Sequence, residues 1–159
     1  MAENQKNVSM NIIVDDGSHR VPICNTRGEE IGTFTFHPTD IGIIQRYNSL
    51  ADDFDSITAP LEAVESPEDG NIDISNPNYV MALREAETRM CKAVDTLFGS
   101  DGASAAFFGN MHPFSPVDGE FYCTRVLNAV GAYIGAQFEA ETARFSDRAK
   151  KYLKKAGKK

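Results

Sequence analysis

Three histidines, three cysteines and a scatter of acids are the residues of this chain that could do chemistry, and their spacing decides whether they can. His19, His37 and His112 each stand in a turn or loop beside Arg or Pro. None has a second His, Cys or acid at ligand spacing on a helix, as a zinc site needs. Surface or capping histidines are the expectation, with no metal. Asp69-Gly70-Asn71-Ile72-Asp73 begins like a calcium loop. That loop wants Gly at its sixth position and Glu at its twelfth, and Ile74 and Val80 stand there instead.

Nucleophile motifs are missing too. The chain has no Gly-x-Ser-x-Gly elbow, and Cys24, Cys91 and Cys123 fall on strand or helix faces where a buried thiol is ordinary. Gly99-Ser100-Asp101-Gly102 lacks the preceding strand and following Lys of a phosphate-cradling loop. Asp52-Asp53 and Glu29-Glu30 are consecutive, so their carboxylates point different ways and are solvated. The expectation is a protein with no catalytic residues and no cofactor.

The elements that would carry these residues read as follows. Met10–Val14 is a short strand candidate, closed by the turn-rich Asp15-Asp16-Gly17-Ser18. Val21–Cys24 and Ile31–Phe36 form a hairpin, with Gly28 between them free to take positive φ. With the first run they make a small antiparallel hairpin or meander over 10–36, behind a flexible lead at 1–8. In the last strand Ile31, Thr33 and Thr35 share one face, and Gly32, Phe34 and Phe36 the other.

Pro38 stops that strand, and Thr39 or Asp40 caps a helix. Ile43, Tyr47, Leu50, Phe54 and Ile57 make its buried stripe, and Pro60 kinks or ends it. Residues 66–76 form a long loop. Asn76-Pro77 starts a second helix carrying Tyr79, Leu83, Met90, Val94 and Leu97 and ending near Gly99. Asp101 caps a short helix through Phe107 and Phe108. Ser115-Pro116-Val117-Asp118 reads as a third helix start, before a long helix striped by Cys123, Leu127, Val130, Ile134, Phe138, Phe145, Ala149 and Tyr152. The helical part spans 39–149, and the basic tail 150–159 holds six lysines and is expected to fray. The fold class is α+β in a single domain: a small N-terminal sheet, then a mainly α-helical bundle with a long C-terminal helix.

Bulk composition narrows the partners. The 159 residues carry 23 acids against 16 bases, a net charge of -7. Phosphate binding is driven by Lys and Arg, so neither nucleic acid nor an anionic membrane is the expected partner. Three unclustered cysteines suit a reducing compartment. The polar N-terminus has no signal-peptide pattern. The longest mostly apolar stretch, Val126 to Phe138, is too short and too polar to span a membrane.

Two features exceed what solubility needs. Aromatic residues crowd the last loop: Phe107, Phe108, Phe114, Phe121 and Tyr122. They either close the end of the bundle or form an exposed patch that docks a partner. Gly131-x-x-x-Gly135 sits inside the long helix, where each Gly costs about 1 kcal/mol relative to Ala. Close helix approach recovers that cost, within the bundle or in a homo-oligomer.

The layout resembles the tail assembly chaperones of long-tailed bacteriophages, in the version found in phages and prophages of Gram-positive bacteria. The likeness is carried by Val21-Pro22-Ile23 and Gly32-Thr33-Phe34-Thr35-Phe36 running into His37-Pro38-Thr39-Asp40. A helix with Ile44-Gln45-Arg46-Tyr47 follows, and the basic Lys150-Lys151-Tyr152-Leu153-Lys154-Lys155 closes the pattern. The resemblance implies a scaffold-like, non-enzymatic protein of the host cytoplasm, absent from the mature virion. Such a protein coats the tape measure protein and recruits tail tube protein subunits. The alternative is a structural virion protein of the tail or connector, against which the small strand content stands.

Overall fold

The computed structural model describes residues 10–64 and 75–157, with side chains through residue 145. In chain order, the elements are β1 (His19–Cys24), β2 (Glu30–Phe36), α1 (Gly42–Glu62) and α2 (Pro77–Phe98). Next come α3 (Ala103–Phe108), β3 (Pro116–Val117), β4 (Glu120–Phe121) and α4 (Tyr122–Gly157). The fold is α+β: an antiparallel hairpin set on a helical body.

In the hairpin Val21 faces Phe34 and His19 faces Phe36, with a bulge after Ile23. Asn25 makes the turn. Its side chain accepts the Arg27 and Glu29 amides, and Gly28 takes φ +83°. Alternation along β2 buries Phe34 and Phe36 and exposes Thr35, as the pattern requires. The two rings stack at 5.0 Å and meet Phe98 of α2 edge-on at 4.9 and 4.8 Å. Gly32 lies so close to α3 that a Cβ would overlap the Ala106 carbonyl oxygen. A bare backbone is what lets α3 seal the hairpin.

Met10–Val14 is not part of this sheet. The run is unpaired, with Ile12 94% exposed, and the sheet spans 19–36 rather than 10–36. Asp15 and Asp16 turn the chain locally by accepting the Gly17 and Ser18 amides, and Asp16 then binds His37 at 2.7 Å.

The strand-to-helix junction is tightly held. Pro38 is fully buried, Asp40 accepts the Gly42 amide, and Arg46 bridges Asp40 and the Leu97 carbonyl at the end of α2. Pro60 does not end α1, which runs on to Glu62. A proline leaves the carbonyl four residues earlier without its helical donor. Here that carbonyl, Ser56, receives the Arg89 guanidinium at 2.7 Å instead.

α2 begins as expected, with Asn76 accepting the Asn78 amide and Pro77 in the first turn. Gly99 ends it in the left-handed conformation, with the Gly99 and Ser100 amides bound back to the Thr96 and Asp95 carbonyls. Asp101 does not cap α3. Asp95, from the last turn of α2, accepts both the amide and the hydroxyl of Ser104 at 2.8 and 3.0 Å.

The expected helix start at Ser115–Asp118 is a miniature hairpin. Pro116–Val117 pairs with Glu120–Phe121 around Asp118 (φ +50°) and Gly119 (φ +87°). Two consecutive positive φ values are the geometry that Asp-Gly favours in two-residue hairpins. α4 starts after it, at Tyr122, and buries Cys123, Val126, Val130 and Ile134. It remains helical through the lysine-rich end to Gly157, past the expected limit at 149. Lysine is a good helix former and suits the negative end of the helix dipole. The expected flexible lead at 1–8 and most of the expected loop at 66–76 lie outside the described residues.

Candidate partner-binding groove

An apolar groove runs between the hairpin and α4. Val21 and Ile23 of β1 form one side, and Ala129, Val130 and Tyr133 of α4 form the other. Its floor is aromatic, made by Phe34, Phe36, Phe98 and Phe107, and its volume is about 170 Å³. The groove follows from two local facts. β1 offers its inward residues at every second position, and α4 passes the hairpin at a distance set by ring size, with Tyr133 6.2 Å from Phe36. Upstream of β1, across the Asp15–Ser18 turn, the run Met10, Ile12, Ile13 and Val14 is 73% to 94% exposed. Contiguous exposed apolar surface of this kind marks an interaction site more often than chance exposure does.

The five aromatics singled out from the sequence separate. Phe107 packs on Phe34 and Phe98 at 5.5 and 5.7 Å and forms part of the groove floor. Phe108 meets Tyr122 edge-on at 5.9 Å, and the Tyr122 hydroxyl donates to the Phe107 carbonyl. Phe114 is buried, with the Phe121 ring edge-on at 5.1 Å; Phe121, in β4, is 38% exposed. These rings mostly close the end of the bundle, and Phe107 joins the groove. Val21, Ile23, Phe34, Phe36, Val130 and Tyr133 did not stand out as a site in the sequence. A readable signal was present in Met10–Val14, whose adjacent Ile12 and Ile13 put apolar side chains on both faces of a would-be strand.

Polar groups elsewhere are engaged structurally. His112 accepts the Phe114 amide on Nδ1 and donates from Nε2 to the Leu83 carbonyl, which fixes a loop. Asp16 is held well below the usual carboxylate range by its hydrogen bond to His37. Asp40 is held low by Arg46 and then by the Gly42 amide. Burial pushes the Cys123 thiol up to about 11 and raises that of Cys91, where Glu87 adds to the effect. A wider, more polar cleft of about 740 Å³ between α1 and α2 is lined by Arg46, Asp53, Arg89 and Lys92. Two of these cations are already committed, Arg46 to Leu97 and Arg89 to Ser56 and Glu85. Among the described residues no group of three or more His, Cys, Asp or Glu could hold a metal ion, and no helix is long and apolar enough to cross a membrane.

No family model, curated protein or solved structure matches this chain. The groove therefore has to be read from its own chemistry. It offers aliphatic and aromatic contact with little polar anchoring, which suits an apolar segment of another polypeptide better than a small polar substrate.

Proposed function

We propose that this protein is a non-enzymatic phage tail assembly chaperone. In this reading it binds the tape measure protein, recruits tail tube subunits during assembly in the host cytoplasm, and is left out of the mature virion. The observation that carries the reading is the pairing of an apolar groove and an exposed apolar run with a strongly acidic chain. A holdase needs apolar surface to grip a client, and net charge to keep the complex in solution. The layout supports the same reading. Phe36-His37-Pro38-Thr39-Asp40, part of the pattern that carries the family resemblance, is the junction from β2 to α1, with Pro38 buried and Asp40 bound to the Gly42 amide and Arg46.

Copurification tests it. An affinity-tagged chain expressed with the tape measure protein from the same genome is expected to retain that protein through high-salt washes, because the contact is apolar. Mass spectrometry of purified virions is expected to find no copies of the chain. Its presence there at the stoichiometry of a tail component would favour a structural virion protein instead.

A further inference from the structure

Two apolar features lie near β1: the groove, and the exposed run Met10–Val14 that precedes the strand in the chain. We propose that the groove between β1 and α4 is a docking site for an extended aliphatic segment, and that its occupant in the free protein is this chain's own Met10–Val14. That a client then displaces the segment rests on the chaperone reading; the docking itself does not.

The chemistry matches on both sides. Met10, Ile12, Ile13 and Val14 are 83%, 94%, 84% and 73% exposed in the extended arrangement, so nearly their whole apolar surface is available for burial. The groove volume of about 170 Å³ is close to that of cavities of about 150 Å³ that take up a benzene molecule, which is room for one aliphatic side chain with part of a second.

Connectivity selects the occupant. Only Asp15–Ser18 separate the run from β1, whose Val21 and Ile23 form one wall of the groove. So short a tether gives an effective concentration in the millimolar range, above that of a second copy in dilute solution. The geometry of return is simple. Folding back antiparallel through this four-residue turn sets Ile12 opposite Val21 and Met10 opposite Ile23. Directly opposed residues share a face. The alternate residues of the run would then point toward the groove, with Ile13 turned away from it. Gly17, at φ +73° and with no atom near a Cβ position, is the pivot. The Asp16–His37 contact holds the turn in the extended arrangement seen here. The two arrangements are two positions of one strap.

The chain contains no tryptophan, so Ile12→Trp places a single reporter on the strap. In dilute, monomeric full-length protein its emission is expected at shorter wavelength than in denaturant. Adding Ala129→Phe, which fills the groove from an exposed position on α4, is expected to return it to the exposed value. Hydrogen exchange of the unmodified chain guards against a misfit of the larger indole: the Ile12 to Val14 amides are expected to exchange more slowly than in an unstructured peptide. Fully exposed emission with unprotected amides overturns the proposal. So does a blue shift that appears only with rising concentration and a growing sedimentation coefficient, which would make a second copy the occupant. If the strap proves free while the tape measure protein is still held in solution, the chaperone reading survives without it. A docked strap with no effect on the tape measure protein would be the reverse.

Discussion

Glycines show most clearly how single residues set this fold, because three of them meet different surroundings. Gly32 is required by contact, since a Cβ there meets the Ala106 backbone, which cannot swing away. Gly32→Ala is expected to destabilise by roughly 1–3 kcal/mol or more, seen as a lower midpoint in urea. Gly131 and Gly135 were readable only as a pair, and the structure separates them. A Cβ on Gly131 would lie 2.7 Å from the Tyr47 hydroxyl, which donates to the Leu127 carbonyl, whereas one on Gly135 meets nothing within 4 Å. Gly135→Ala is therefore expected to stabilise the protein by up to about 1 kcal/mol. Gly131→Ala gains the same helix preference but displaces Tyr47, so its effect is expected to be near zero or unfavourable by about 1 kcal/mol. Equal stabilisation by both in thermal melts would contradict this assignment. Acid sensitivity also starts at this scale. Asp16 and Asp40 both have lowered folded-state values, so their stabilisation is complete above the unfolded carboxyl value, about 3.9, and is lost as pH falls further. Urea midpoints are expected to drop below about pH 4, and Asp40→Asn is expected to flatten part of that fall.

At the scale of elements, what was legible was what is local. The stripe Ile43, Tyr47, Leu50, Phe54 and Ile57 repeats every three or four residues, the signals Asn76-Pro77 and Gly99 act within four residues, and each helix formed as they required. Contacts between elements were not legible. Pro60 reads as a kink or end of the helix, yet α1 continues past it, with Arg89 from α2 bound to the carbonyl it frees. Asp101 reads as a cap until Asp95, folded back by the Gly99 turn, takes the Ser104 amide. Ser115–Asp118 differs for another reason: Asp118-Gly119 is itself a local hairpin signal, and it prevails over the overlapping capping pattern. The groove was hidden for the first reason: its walls come from β1 and α4, about 100 residues apart in the chain. Asp95→Ala, which leaves the start of α3 uncapped, is expected to cost about 1–2 kcal/mol. Hydrogen exchange should then speed up in α3 and the β2 amides it covers while α1 stays protected; uniform acceleration would argue that Asp95 acts on the whole fold.

Across the whole molecule, the parts divide between holding and presenting. The Phe34, Phe36 and Phe98 cluster and the buried face of α4 hold the hairpin in place. The groove and Met10–Val14 present apolar surface from an acidic protein with a net charge of -7. Eight of the 16 basic residues fall in the last sixteen positions, with Asp147 the one acid among them, so the body is more acidic than the whole. Charge repulsion between complexes is what would keep a coated, otherwise insoluble rod dispersed. The chaperone role is tested most directly by the soluble fraction of the tape measure protein after coexpression with this chain, compared with expression alone and with a Val130→Asp groove variant whose own fold is verified by circular dichroism. It predicts a large rise in soluble tape measure protein with the unmodified chain and loss of most of that rise with the variant. Equal precipitation in all three cultures would contradict it.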